Sequence, residues 1–104
     1  MGRILKLARK PTAIVAMSDI IAIGAMREAV ERGLHLPKDL SFAGFDDIPL
    51  AAWVSPPLTT VAQPACKKGQ LAAELLLHTL EGKGGGAHHL LPAELVIRAS
   101  VAAR

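Results

Sequence analysis

The chain has 104 residues, 51% of them apolar and 20% charged, with a formal net charge of +3. That is enough for one small domain with its own core, and unlike the composition of a disordered segment. A lone cysteine, Cys66, excludes an internal disulfide and favours a reducing compartment. There is no apolar run of about 18 residues to span a membrane. The basic start lacks the apolar stretch of a secretory signal. Arg3, Lys6, Arg9 and Lys10 read as a solvated helical face, and the remaining charges are scattered.

Residues 1–8 suggest one or two helical turns with Ile4, Leu5 and Ala8 on one side, ended by Pro11. Residues 12–17 are apolar and partly β-branched, which predicts a buried strand. Ser18 or Asp19 then caps a helix running to about Arg32. Its buried face is Ala22, Ala25, Met26, Ala29 and Val30, and Glu28 to Arg32 has the favourable i,i+4 orientation. Gly33 supplies the left-handed residue that ends it. Ile20 and Ile23 widen the apolar stripe, either for core packing or for a subunit contact.

Residues 40–45 form the central buried strand, stopped by Asp46, Asp47 and Ile48-Pro49. Strand, helix and strand over this length make a βαβ unit with a right-handed crossover. Residues 48–54 suggest one apolar turn carrying Trp53, and residues 58–61 a third strand. A second amphipathic helix is predicted over residues 65–80, with Leu71, Ala72, Leu75, Leu76 and Leu80 as its dry stripe. A flexible glycine-rich connection follows at residues 82–86. It follows a helix instead of opening one, so it is no phosphate loop. Residues 88–101 look extended, and Pro92 predicts two short strands there.

In open α/β sheets, ligands bind beyond the C-terminal ends of the strands. The first two strand ends place Ser18 and Asp19 near Asp46 and Asp47. Carboxylates there can accept hydrogen bonds from sugar hydroxyls or the N–H groups of a base, hold a hard cation, or do acid–base work. One of Asp46 and Asp47 is expected to be structural. His88-His89 has no third ligand at metal spacing, and Cys66 lacks catalytic partners, so neither a metal site nor a thiol nucleophile is expected. A phosphotransfer enzyme would need a lysine at a later strand end, and Val61 and its neighbours offer none.

Several ordered motifs resemble those of LacI/GalR-type transcriptional regulators. They are Pro11-Thr12-Ala13-Ile14-Val15-Ala16-Met17-Ser18-Asp19 with Ala22-Ile23-Gly24-Ala25-Met26-Arg27, then Gly44-Phe45-Asp46-Asp47-Ile48-Pro49, and then Pro56-Pro57-Leu58-Thr59-Thr60-Val61 with Gln63-Pro64. Gly33-Leu34-His35-Leu36-Pro37-Lys38-Asp39-Leu40-Ser41 and Leu91-Pro92 with Glu94-Leu95-Val96 and Arg98 extend the likeness to most of the chain. The resemblance implies an α/β chain with a partial periplasmic-binding-protein-like fold: a parallel sheet with flanking helices, mostly the C-terminal lobe plus one helix of the N-terminal lobe. On that pattern, residues 11–62 are C-terminal lobe, 63–91 the crossover and N-terminal-lobe helix, and 92–104 the return, with no DNA-binding headpiece among them.

By position, the family's effector contacts fall on Ser18, Asp46 and Ala65, with Asp19 and Asp47 as further effector or capping residues. Ala65 departs from the family's frequent aromatic and offers no ring to stack on. The family's dimer interface falls on Ile20, Ile23, Trp53 and Val54. The implied function is the effector-binding and dimerisation segment of a cytoplasmic repressor. It needs no cofactor or metal, is not an enzyme, and meets operator DNA only through a headpiece elsewhere. The effector would be a sugar or nucleobase-like molecule. The alternative is the sugar-type solute-binding protein of a transporter, which shares the fold.

Overall fold

The structure, a computed structural model, describes residues 2–7, 10–83 and 88–103. Its elements are a 3-10 turn, Ile4–Lys6, then β1 Ala13–Val15, α1 Asp19–Glu31, β2 Ser41–Asp46, α2 Pro49–Trp53, β3 Thr59–Ala62, α3 Ala65–Leu80 and β4 Glu94–Val96. They form a sheet of order β1-β2-β3-β4 in which β1, β2 and β3 run parallel and β4 pairs antiparallel to β3. This is the predicted α/β class. By contacts the chain divides into two compact units, residues 1–62 with 94–104, and residues 63–93.

In the first unit, β2 is central: it is apolar or glycine from Phe42 to Phe45 and has parallel neighbours on both sides. Its alternate residues face opposite ways. Phe42 and Gly44 turn towards α1 and are buried, and Phe42 joins Ala16, Ala22, Met26, Ala29, Leu40, Ala51 and Leu58 in one core. Burying a side chain such as Phe42 fully is worth roughly 1.5–3 kcal/mol. The opposite face is open at Val15 and at Phe45.

Helix α1 starts where Ser18 accepts a hydrogen bond from the amide of Ile21. Ser18, not Asp19, is therefore the cap, and Asp19 is the first helical residue. The helix ends at Glu31 with Arg32 as C-cap and Gly33 at φ +81°. The Glu28–Arg32 pair forms, with Nε to Oε1 at 2.7 Å. Val30, expected on the buried face, is exposed, since the core here takes only Ala22, Met26 and Ala29. Beyond Gly33 the Asp39 carboxylate accepts from the His35 amide at 2.7 Å, and this bond lowers its pKa from the usual value.

Three expectations need correction. The first strand is shorter than residues 12–17, because after Ala16 donates to the Ala43 carbonyl the chain leaves the sheet to enter the cap of α1. The opening turn is a 3-10 turn; Ala8 and the Leu5 side chain lie outside the described residues. Residues 88–101 hold one strand among the described residues, not two. Pro92 cannot donate to a ladder, and after Val96 the amides of Arg98 and Ala102 bond to side chains, which leaves no continuous ladder. Residues 84–87 of the glycine-rich connection lie outside the described residues. In the second unit, α3 spans the predicted residues with no residue fully buried, and its expected dry-stripe members Leu76 and Leu80 are exposed.

Ser100 joins the strands at the end where β2 and β3 begin. Fully buried, its hydroxyl donates to the Phe42 carbonyl at 2.6 Å and accepts from the Thr59 amide at 2.8 Å. Its own carbonyl accepts from the Phe42 amide at 2.8 Å.

Gly44 is the position least tolerant of a side chain. A Cβ there would overlap Oδ1 of Asp19 and stand 3.0 Å from Leu58 Cδ2 and 3.2 Å from Asp19 Cα. Forcing one extra carbon into a packed core typically costs about 1–3 kcal/mol. Gly44→Ala is therefore expected to lose about 3 kcal/mol or more, because it also displaces a hydrogen-bonded carboxylate. Urea unfolding followed by circular dichroism checks this; an unchanged midpoint would show that Asp19 can move aside freely.

Candidate functional site

The end of the sheet where β1 and β2 stop is built around Asp19. This residue is fully buried beside Gly44. Its Oδ1 accepts from the Thr60 hydroxyl on β3, and its Oδ2 accepts from the Ile48 amide at 2.9 Å. Both oxygens serve the protein, and the side chain exposes no surface to a ligand. The position that the sequence leaves open between capping and effector contact is occupied by a carboxylate that ties the start of α1 to β3 and to the loop after β2.

Ser18 and Asp46 come to the same end of adjacent parallel strands. Val15 pairs with Ala43, and each residue stands three positions further along the chain, Asp46 as the last residue of β2 and Ser18 in the cap of α1. Both are half-buried. Asp46 closes β2 opposite Ala62, and it and Asp47 have φ of +117° and +54°. Two consecutive non-glycine residues with positive φ are uncommon, and such backbone persists only where the surroundings fix it. One fixing contact is the Ile48 amide on Asp19. Another is Arg98, whose Nη2 donates to Asp47 Oδ1 at 2.6 Å while Nη1 donates to the Leu58 carbonyl at 2.9 Å. Asp47 is thus committed to an ion pair within the fold.

Ala65 is the first residue of α3, in the second unit, and it is exposed. Of the apolar residues assigned to a subunit contact, Ile20 is 62% and Trp53 84% exposed, more than an isolated core position would allow. Ile23 and Val54 are half-buried and line a groove of about 330 Å³ with Met26 and Val30, which joins α1 to the end of α2. Among the described residues, no group of three or more His, Cys, Asp or Glu side chains could hold a metal ion. Nor is any helix among them long and apolar enough to cross a membrane.

Four residues that fix the ends of the sheet, Thr60, Arg98 and Gly44 at this end and Ser100 at the other, were given no structural role from the sequence. Thr60 and Arg98 find their partners 41 and 51 residues away, where no spacing rule reaches. Ser100 is equally remote from Phe42, at 58 residues. Gly44 did carry a signal, since an isolated glycine inside a strand marks a close approach of another group. The Asp19–Thr60 bond gives a direct test. Thr60→Val keeps the shape and removes the donor, leaving a buried carboxylate oxygen without its partner. Such a loss costs about 1–3 kcal/mol or more for a charged group. A fall of that size in unfolding free energy is expected, and a loss under about 0.5 kcal/mol would mark the bond as dispensable.

Comparison with known proteins places this arrangement. The model of the periplasmic binding protein-like domain matches residues 2–101. The HTH-type transcriptional repressor CytR of Escherichia coli (strain K12) is 43% identical over 104 residues, which cover 99% of this chain and 30% of the relative. A crystal structure of an uncharacterized protein from Actinobacillus succinogenes superposes with a TM-score of 0.87 at 40% identity, covering 97% of this chain and 38% of that one. The Lac repressor dimer bound to operator and the anti-inducer ONPF gives 0.80 at 38% identity, covering 89% and 32%. The chain spans about a third of the length of these relatives. The chain belongs to the periplasmic binding protein-like domain family, and within it groups with the LacI-family regulators.

Proposed function

We propose that this chain forms one wall of a small-molecule effector pocket, and part of a subunit contact, in a LacI-type transcriptional repressor. The observation that carries the reading is Asp46, a carboxylate at the end of the central strand, at the same end of the sheet as Ser18, on backbone that its neighbours hold in a rarely occupied conformation. A carboxylate so placed accepts hydrogen bonds from sugar hydroxyls or from the N–H groups of a base. Ser18 adds a hydroxyl that both donates and accepts. Ala65 is the third effector position, contributing little bulk and no ring.

Residues 11–62 and 92–104 are assigned to one lobe, and residues 63–91 to the crossover and a helix of the other. The separation of contacts into residues 1–62 with 94–104 and residues 63–93 supports that assignment. In this reading the effector prefers one arrangement of the lobes. The difference in its affinity between arrangements is the free energy available to change operator binding. The segment binds and does not catalyse, and works in the cytoplasm. A transporter's solute-binding protein is the second reading, because the matched domain model is described only as periplasmic binding protein-like. The repressor relatives favour the first.

Calorimetric titration with pentoses, hexoses and nucleosides is expected to yield a saturable ligand. Asp46→Asn should weaken it about ten- to a hundredfold, the worth of hydrogen bonds to a charged group. Asparagine tolerates the positive φ at this position, so the backbone should survive the change. Unchanged affinity in the variant would remove Asp46 from the site. For the subunit contact, sedimentation is expected to show a dimer that Trp53→Glu converts to monomer. A dimer that persists in the variant would place the contact elsewhere.

A further inference from the structure

The loop that carries Asp46 is held from two sides. On one, the Ile48 amide donates to the buried Asp19 carboxylate at 2.9 Å. On the other, the Arg98 guanidinium forks between Asp47 Oδ1 at 2.6 Å and the Leu58 carbonyl at 2.9 Å. The ion pair is largely screened from water, with side-chain exposures of 18% for Arg98 and 27% for Asp47. Arg98 is itself fixed, since its amide donates to the Thr59 hydroxyl at 2.9 Å and its carbonyl accepts from that hydroxyl at 3.2 Å. Positive φ at Asp46 and Asp47 is a conformation that the loop would leave if either side let go.

We infer that Arg98 is a positioning residue for the effector site: by gripping Asp47 it sets the backbone of the preceding residue and so aims the Asp46 carboxylate. Its planar guanidinium suits the task because two of its N–H groups reach two acceptors in fixed geometry, which a lysine ammonium on a flexible stem cannot reproduce. Arg98 also stands two residues beyond β4, the strand by which the chain returns from residues 63–93 to the first unit. A displacement of β4 along β3 would therefore be transmitted to the Asp46 loop through one side chain. The inference rests on assigning Asp46 to the effector, but its test contains no ligand, so the two can fail separately.

The test is amide hydrogen exchange in the 104-residue chain, comparing Ile48 with Ala16 and Ser41, whose amides bond to Ala43 and Thr12 in the β1–β2 ladder, away from Arg98. Arg98→Lys is expected to speed exchange at Ile48 by about tenfold while Ala16 and Ser41 keep their rates, the signature of local opening. Asp47→Asn removes the charge from the other side of the pair at constant volume and should give the same selective rise. It also decides the matter if Arg98→Lys proves unstable. If in Asp47→Asn all three amides speed up together, the pair merely stabilises the fold and the inference falls. It falls equally if none changes. A selective rise alongside an Asp46→Asn variant of undiminished ligand affinity would leave Arg98 as the loop's anchor and remove the effector from the loop.

Discussion

One buried carboxylate organises this molecule. Taking Asp19 out of water is costly unless both oxygens find donors, and here a threonine hydroxyl and a main-chain amide supply them. Those donors come from β3 and from the loop after β2, so meeting the requirement draws three segments to one point. The approach is possible only because Gly44 has no side chain. Asparagine, with one acceptor oxygen in place of two, would leave either the Ile48 amide or the Thr60 hydroxyl without its partner. The geometry of this end of the sheet is in that sense set by a group with no exposed surface.

The division of labour between the three aspartates follows from their surroundings. Asp19 is sealed and holds the framework. Asp47 is half-sealed and spends its charge on Arg98. Asp46, half-buried where β2 meets the anchored loop, is the carboxylate that we propose for the effector. Three identical side chains thus take three roles according to depth and neighbours, which is why acidic character alone says little about which aspartate binds.

Three strands of the sheet, the two long helices and the end of α1 at Gly33 were legible in the sequence because each rests on local rules. Apolar runs mark parallel strands, three- and four-residue spacing marks α1 and α3, and Gly33 marks a helix end. The strand ends that carry Ser18 and Asp46 followed from those elements. What remained hidden depends on distant pairs: Thr60 with Asp19, Arg98 with Asp47, Ser100 with Phe42. None has a sequence period, since each arises only once the crossovers have folded. The expected second strand near the C-terminus failed for a related reason. Past Val96 the amides of Arg98 and Ala102 bond to the side chains of Thr59 and Ser41, and the one main-chain bond, from the Phe42 amide to the Ser100 carbonyl, is too isolated to make a ladder.

Ser100 has a kinetic consequence. It acts as a rivet between the starts of β2 and β3, making contacts 58 and 41 residues distant along the chain. Bringing such remote residues together costs loop-closure entropy before the contact returns anything, and that slows folding. Until residue 100 is in place, the Phe42 carbonyl and the Thr59 amide have no partner at that end of the sheet. A growing polypeptide can therefore lay down α1 and the β1–β2 pair early, but this end of the sheet stays unsealed until residue 100 has been added. During synthesis the half-made sheet presents unmatched backbone for as long as that takes, and this is the interval in which chaperone protection would matter most.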